Sequence, residues 1–362
     1  MIERLLTPHL VDAIGWTLLH TLWQAALFAL LLGVVLIGLR TFSPRARYYV
    51  ACGFLGAFVL AVGLTFHNLY SSPDGGSPTD SPQQMGATDM TQVEQDATPN
   101  SNMAPERGNE AVSGQTAASP VNDLLISARQ YFDRHLPLIV TLWLMGVLVL
   151  QLRLLGQLAW VQRVKSYGTA RFPATWGERI QELERKLDLR RPVRYLTSGR
   201  ISSPFTVGWL RPVILLPGDM LDSLRESQVM TILAHELAHI KRQDFAVNVL
   251  QTFLTTFFFY HPGVWWMSAR IEDEREHCCD DLAVEATGER FDYARTLVQL
   301  QEKELAAPRL SMALGGRGFT GRISRLLNGY LNTATFGEGV ITTLIFAAVL
   351  SLALGTTGEV QA

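Results

Sequence analysis

Residues 13–39, 48–69 and 136–160 form three predominantly apolar stretches, each at or above the ~20 residues a helix needs to cross a bilayer at 1.5 Å per residue. No other feature restricts the fold as much. A backbone in hydrocarbon must satisfy its own hydrogen bonds, and stretches of this length do so as helices. A fourth apolar stretch, residues 340–355, is shorter. Charged residues make up only 18% of the 362, below the roughly 25% of soluble chains. The net charge of -2, with no basic cluster interleaved with aromatics, gives no reason to expect direct nucleic-acid binding. Among the three cysteines, Cys52 lies in an apolar run and Cys278 and Cys279 are adjacent, so no disulfide framework is readable. The first stretch is not a cleavable signal, since its apolar run is too long and Glu3 and Arg4 precede it without a strongly basic leader.

Positive charge beside the spans sets orientation. Arg40, Arg45 and Arg47 follow the first stretch without an acid, and Arg163, Lys165 and Arg171 follow the third. Both regions belong in the cytoplasm, and both termini then face outward. Residues 71–120, rich in Ser, Thr, Pro, Gly, Asp and Gln, read as a disordered extracytoplasmic loop. The expected organisation is two N-terminal membrane helices over residues 1–69, the loop over 70–130, a third membrane helix over 131–161, a cytoplasmic domain over 162–335, and a fourth membrane helix with a short tail over 336–362.

Within 162–335, helical periodicity runs over residues 176–189 and 291–305, and short strands are expected at 193–196, 205–207 and 213–216. Ser223 followed by Glu226 resembles a capping box that opens a helix running to about Lys241. That helix carries His235-Glu236-Leu237-Ala238-His239. A four-residue step puts both imidazoles on one face, about 6 Å apart along the axis, as one zinc ion requires. Glu236, displaced by one position, is placed to take a proton from a metal-activated water. A third ligand must come from elsewhere, and residues 272–281 are the richest supply. There Glu276 and Asp280 share a helix face, so one can bind metal while the other accepts a bond from a ligating histidine. Cys278 is a rival ligand.

One geometric constraint links these parts. Residues 245–267 are apolar enough to span, but a straight helix there would carry Glu276 about 30 Å from His239. His261-Pro262-Gly263 interrupts the run. Pro262 disfavours helical geometry at His261 and Gly263 permits a turn, so two helices folded into a membrane-apposed or re-entrant hairpin are expected, not a fifth crossing. In the first stretch, His20, Trp23 and Gln24 are polar groups that pack helices together or relay a signal.

The motifs together resemble the BlaR/MecR-type bacterial membrane metallopeptidases, relatives of beta-lactam-sensing antirepressors. The resemblance rests on Leu19-His20-Thr21-Leu22-Trp23-Gln24, on Ser203-Pro204-Phe205-Thr206-Val207-Gly208 with Arg211-Pro212-Val213-Ile214-Leu215-Leu216-Pro217, on Ala234 to Asp244, on His261-Pro262, and on Glu274-Arg275-Glu276 through Asp280. It implies a mostly α membrane protein of about four membrane helices, joined to an α+β gluzincin-type peptidase domain with a small sheet. It also implies one catalytic Zn2+ held by His235, His239 and Glu276, with Glu236 as general base and Asp280 as supporting partner. The implied setting is the inner membrane with the peptidase domain cytoplasmic. The implied partners are a protein or peptide substrate, such as the chain itself or a cytoplasmic repressor, and the lipid bilayer. Beta-lactam sensors carry a penicillin-binding domain after the last span, whereas only residues 356–362 follow it here, so beta-lactam recognition is not expected. The rival functions are a housekeeping protease for membrane proteins and a non-catalytic transducer that zinc holds together.

Overall fold

The computed structural model describes residues 7–71, 120–306, 318–328 and 336–355. The chain is mostly helical. Helices α1 (Pro8–Gly38) and α2 (Pro44–Ser71), with the Ile126–Ser166 part of α3 (Pro120–Ser166), are long and apolar enough to cross a membrane. The third helix continues well beyond residues 136–160 and runs through Pro137. Of the extracytoplasmic loop expected over 70–130, residues 70–71 and 120–130 instead belong to the ends of α2 and α3, and the remainder lies outside the described residues.

A small mixed sheet follows, in the order β1-β2-β4-β3. It is built from β1 (Thr169–Arg171), β2 (Arg194–Ser198), β3 (Phe205–Val207) and β4 (Val213–Pro217). Strands β2 and β4 run parallel with Leu196 opposite Leu215, and β3 pairs antiparallel to β4 with Thr206 opposite Ile214. All of β4 is buried. Its alternation sends Ile214 and Leu216 into the helical core and Val213 and Leu215 towards Val164 at the end of α3. Strand β1 was not expected: a three-residue edge pairing with half-exposed residues leaves no hydrophobic pattern to read.

Helices α4 (Gly177–Lys186), α5 (Met220–Ser223), α6 (Glu226–Arg242), α7 (Asp244–Phe257), α8 (Pro262–Thr287), α9 (Arg290–Ala306), α10 (Phe319–Asn328) and α11 (Phe336–Gly355) complete the chain. The capping expectation is corrected. Ser223 ends the short α5, and α6 starts at Glu226, where Gln228 Oε1 accepts the Arg225 N–H at 3.1 Å.

Gln243, in the left-handed conformation with φ 62°, separates α6 from α7. The chain breaks again before Pro262, where His261 Nδ1 accepts the Gly263 N–H at 2.9 Å. Helices α7 and α8 therefore form a hairpin, pinned by Gln251 Nε2 donating to Ser268 O at 2.8 Å. Its turn lies deep in the helix bundle. Tyr260 OH meets Thr21 Oγ1 at 2.6 Å, His261 Nε2 lies 2.9 Å from Leu22 O, and Trp143 Nε1 donates to Phe257 O at 2.8 Å. Leu22 is 16 residues short of the end of α1 at Gly38, about 24 Å along that helix. In the same bundle, Gln24 donates to Thr65 at 2.8 Å and so ties α1 to α2.

Two large cores share α8. Val264, Met267 and Ile271 pack with α1 and α2, whereas Cys279, Leu282, Ala283 and Ala286 pack with α6 and α9. In α11 the contiguous apolar stretch, Val340–Ser351, falls short of a span. The helix lies along α2, burying Val349 and Ala353.

Candidate metal centre

The centre forms where α6 and α8 cross. His235 and His239, one turn apart on α6, bring their Nε2 atoms to 3.2 Å. Glu276 on α8 puts Oε2 at 3.4 Å from His235 Nε2 and Oε1 at 3.8 Å from His239 Nε2. One ligand atom from each of the three lies within 4.8 Å of the others. Ligands about 2.05 Å from a tetrahedral ion stand about 3.3 Å from one another, so the donor set fits a single small cation. Where both imidazoles carry their proton on Nδ1, two Nε2 lone pairs face at 3.2 Å, an arrangement that a shared cation stabilises.

The opposite ring nitrogens explain why the Nε2 lone pairs point inward. His239 Nδ1 lies 2.9 Å from Asp244 Oδ2, where its N–H donates. His235 Nδ1 lies 2.8 Å from Tyr293 OH, which in turn donates to Asp280 Oδ1 at 2.6 Å. Fixing the proton on Nδ1 leaves Nε2 free for a metal. Asp280 is fully buried and sits 3.5 Å from His235 Nδ1, with the Tyr293 hydroxyl bonded to both groups. Arg322 of α10 clamps two carboxylates of α8, reaching Asp280 at 2.7 and 3.0 Å and Glu276 at 3.2 Å.

The electrostatics favour a cation. Burial alone would lower His239, but the Asp244 hydrogen bond and the charges of Glu276 and Glu236 outweigh it and raise its pKa. Burial likewise pushes Glu276 up, but the His235 imidazole against it, His239 and the Arg322 guanidinium together hold it well below the usual carboxylate range. Asp280 is held low in the same way, with Arg322 prevailing over burial.

Glu236 is buried beside these ligands, and its Oε2 accepts from Thr206 Oγ1 at 2.7 Å. Thr206 belongs to β3, an edge of the sheet. A cleft of about 320 Å3 runs between that strand and the α6–α8 crossing, with Glu236, His239, Asn248 and Arg275 in its walls.

Cys278 lies away from the centre, packed into the membrane bundle, while Cys279 Sγ contacts Asp244 Oδ2 at 3.2 Å and His239 Nδ1 at 3.3 Å. His261 is occupied at the hairpin turn. Asp244, Thr206, Tyr293 and Arg322 were given no role from sequence. Asp244 alone had a local signal, a carboxylate opening a helix five residues after His239.

Fold and site together define a mostly helical protein with three helices long and apolar enough to cross a membrane and a two-histidine, one-glutamate cluster between α6 and α8. The chain belongs to the BlaR1 peptidase M56 family, whose model matches residues 16–315, and so stands among the membrane metallopeptidases. It is 36% identical over 80 residues to the regulatory protein BlaR1 of Bacillus licheniformis, covering 22% of this chain and 13% of that one. It is 21% identical over 165 residues to the methicillin resistance mecR1 protein of Staphylococcus aureus, covering 45% of this chain and 28% of that one. It is also 29% identical over 75 residues to protease HtpX homolog 2 of Methanosarcina acetivorans, covering 20% of this chain and 26% of that one. The matched segments thus span less than a third of each relative's length.

Proposed function

We propose that this chain is a zinc metalloendopeptidase of the bacterial inner membrane that cleaves itself or a cytoplasmic regulator such as a transcriptional repressor. His235, His239 and Glu276 hold one zinc ion, Glu236 is the general base, and Asp280 and Asp244 orient the ligands. The observation that carries this reading is the convergence of the three ligand atoms within 4.8 Å beside a buried glutamate on the cleft wall.

When bound, zinc supplies Lewis acidity, which lowers the pKa of water towards neutrality and polarises a peptide carbonyl. Glu236 takes the proton of the attacking water and delivers it to the leaving amine. Its hydrogen bond to Thr206 fixes the carboxylate against β3. That strand is an edge, along which a substrate adds as an extended strand and lays its scissile bond beside Glu236.

The peptidase domain, residues 162–335, faces the cytoplasm, in keeping with the arginines at the start of α2 and the basic end of α3. Helix α11 serves as a fourth membrane helix through its full 20 residues, about 30 Å at 1.5 Å per residue, although its contiguous apolar stretch is shorter. Its Glu338 accepts from Ser43 Oγ at 2.6 Å, so it starts level with α2 and runs beside it.

The test is Glu236→Gln in the full chain. The variant keeps zinc but loses cleavage of itself or of a co-expressed substrate, a drop of about 10²–10⁴-fold. Retained cleavage removes Glu236 from the catalytic role. The similarity to an HtpX homolog favours a second reading, a housekeeping protease for membrane proteins. A broad set of cytosolic fragments that vanishes in Glu236→Gln cells without any inducer supports that reading over a dedicated regulator.

A further inference from the structure

The turn joining β3 to β4 carries two side chains that a cytoplasmic surface turn has no reason to display. Trp209 is 53% exposed, and Leu210, at 76%, is the most exposed large apolar side chain among the described residues. The turn is rigid. Gly208 sits at φ 99°, and a Cβ there would stand 2.9 Å from Arg211 O. Arg191 Nη1 donates to Trp209 O at 3.0 Å, so the tip is held out and does not fold back.

Its height is fixed by two contacts. Trp209 Nε1 donates to Gln243 Oε1 at 3.2 Å, and Gln243 is the residue from which α7 descends into the bundle. Next to it, the Arg242 guanidinium stacks 4.6 Å from the ring of Tyr48, in the first turns of α2. The tip therefore lies level with the end of the bundle where α2 begins. Beyond Gln243 the apolar exposure continues down α7, with Leu250 at 58% and Phe253 at 44%.

Charge completes the pattern. Arg191 and Arg211 flank the tip, and the exposed Arg194 opens β2 close by, its backbone N–H donating to Pro212 O at 3.1 Å. Among the described residues no carboxylate lies within ion-pair distance of these three. Indole rings favour the headgroup level of a bilayer, and arginines there attract anionic lipid.

We propose that the β3–β4 turn is an interfacial anchor that inserts Trp209 and Leu210 among anionic phospholipid headgroups and holds the peptidase domain against the bilayer. A lipid surface suits this patch better than a protein partner because the patch continues into the lipid-facing side of α7. The inference rests on α1, α2 and α3 crossing the membrane.

The test uses the full chain reconstituted in vesicles of phosphatidylcholine with or without phosphatidylglycerol, each with nitroxide-labelled lipid. Leu210→Cys carries an environment-sensitive fluorophore. The unsubstituted chain, whose Cys278 and Cys279 are buried, gives the labelling background. Glu178→Cys is the reference, beside Arg179, which pairs with Glu226 at the far end of the 17-residue α6, about 25 Å from Gln243. The label at 210 is quenched in anionic vesicles and the label at 178 is not. Adding Arg194→Gln and Arg211→Gln weakens insertion about 30-fold and moves the quenching towards its value in neutral lipid. A label at 210 as wet as the one at 178 overturns the anchor. Equal quenching in neutral and anionic vesicles, unmoved by the arginine changes, overturns the recognition of anionic lipid. Neither readout involves metal or cleavage, so this proposal and the proposed chemistry fail separately.

Discussion

Asp244→Asn tests the orienting role proposed for a carboxylate outside the three proposed ligands. Asp244 is 4% exposed and accepts from His239 Nδ1 at 2.9 Å, from Arg242 Nε at 3.3 Å and from Cys279 Sγ at 3.2 Å. Asparagine keeps the shape and a carbonyl oxygen for His239 but removes the negative charge. The imidazole then becomes a poorer donor to the metal, and its ring is no longer held by a charged acceptor. Changes to a carboxylate that supports a ligating histidine lower metal affinity about 10–100-fold, which is about 1.4–2.7 kcal/mol. The assay is zinc competition against a chromophoric chelator with the detergent-purified chain, alongside thermal unfolding of the metal-free protein to detect loss of fold. The expected result is a zinc affinity lower by that factor with near-normal unfolding. Affinity within about threefold of the parent, under conditions where Glu276→Gln weakens binding strongly, would refute the view that Asp244 orients His239 for a metal.

Two further expectations follow from the packing. Arg322→Gln leaves the fully buried Asp280 without the guanidinium that reaches it at 2.7 and 3.0 Å, and breaking such a pair costs about 3–5 kcal/mol. The unfolding midpoint in detergent therefore falls clearly, and Arg322→Lys recovers only part of the loss because it cannot form the two-pronged contact. An unchanged midpoint contradicts the clamp. Single cysteines replacing Lys241 and Glu285, both exposed, react with an impermeant reagent from the same side of the membrane. Labelling from opposite sides would make α7 and α8 a crossing instead of a re-entrant hairpin.

What could be read from the sequence was local or periodic. The one-turn spacing of His235 and His239, the break at His261-Pro262-Gly263 and the buried run of β4 each depend on residues close in the chain. The partners that tune the centre do not. Tyr293 reaches His235 across 58 residues and Arg322 reaches Asp280 across 42, and an isolated Tyr or Arg on a helix carries no mark of what it will meet. The capping of α6 was misplaced because a serine three residues before a glutamate satisfies the pattern equally well whether it opens one helix or closes another. The position of Glu276, however, follows from counting. Helix α7 descends 14 residues from Asp244, and Glu276 stands 14 residues beyond Pro262 on the returning helix, so both arms cover about 20 Å. Equal arms return the glutamate to the height of His239 and Asp244. One residue added to α8 between Pro262 and Glu276 would turn the carboxylate by about 100° away from the histidines. The helix break deep in the bundle and the ligand geometry at its edge are therefore one constraint on the chain, written in the length of the hairpin.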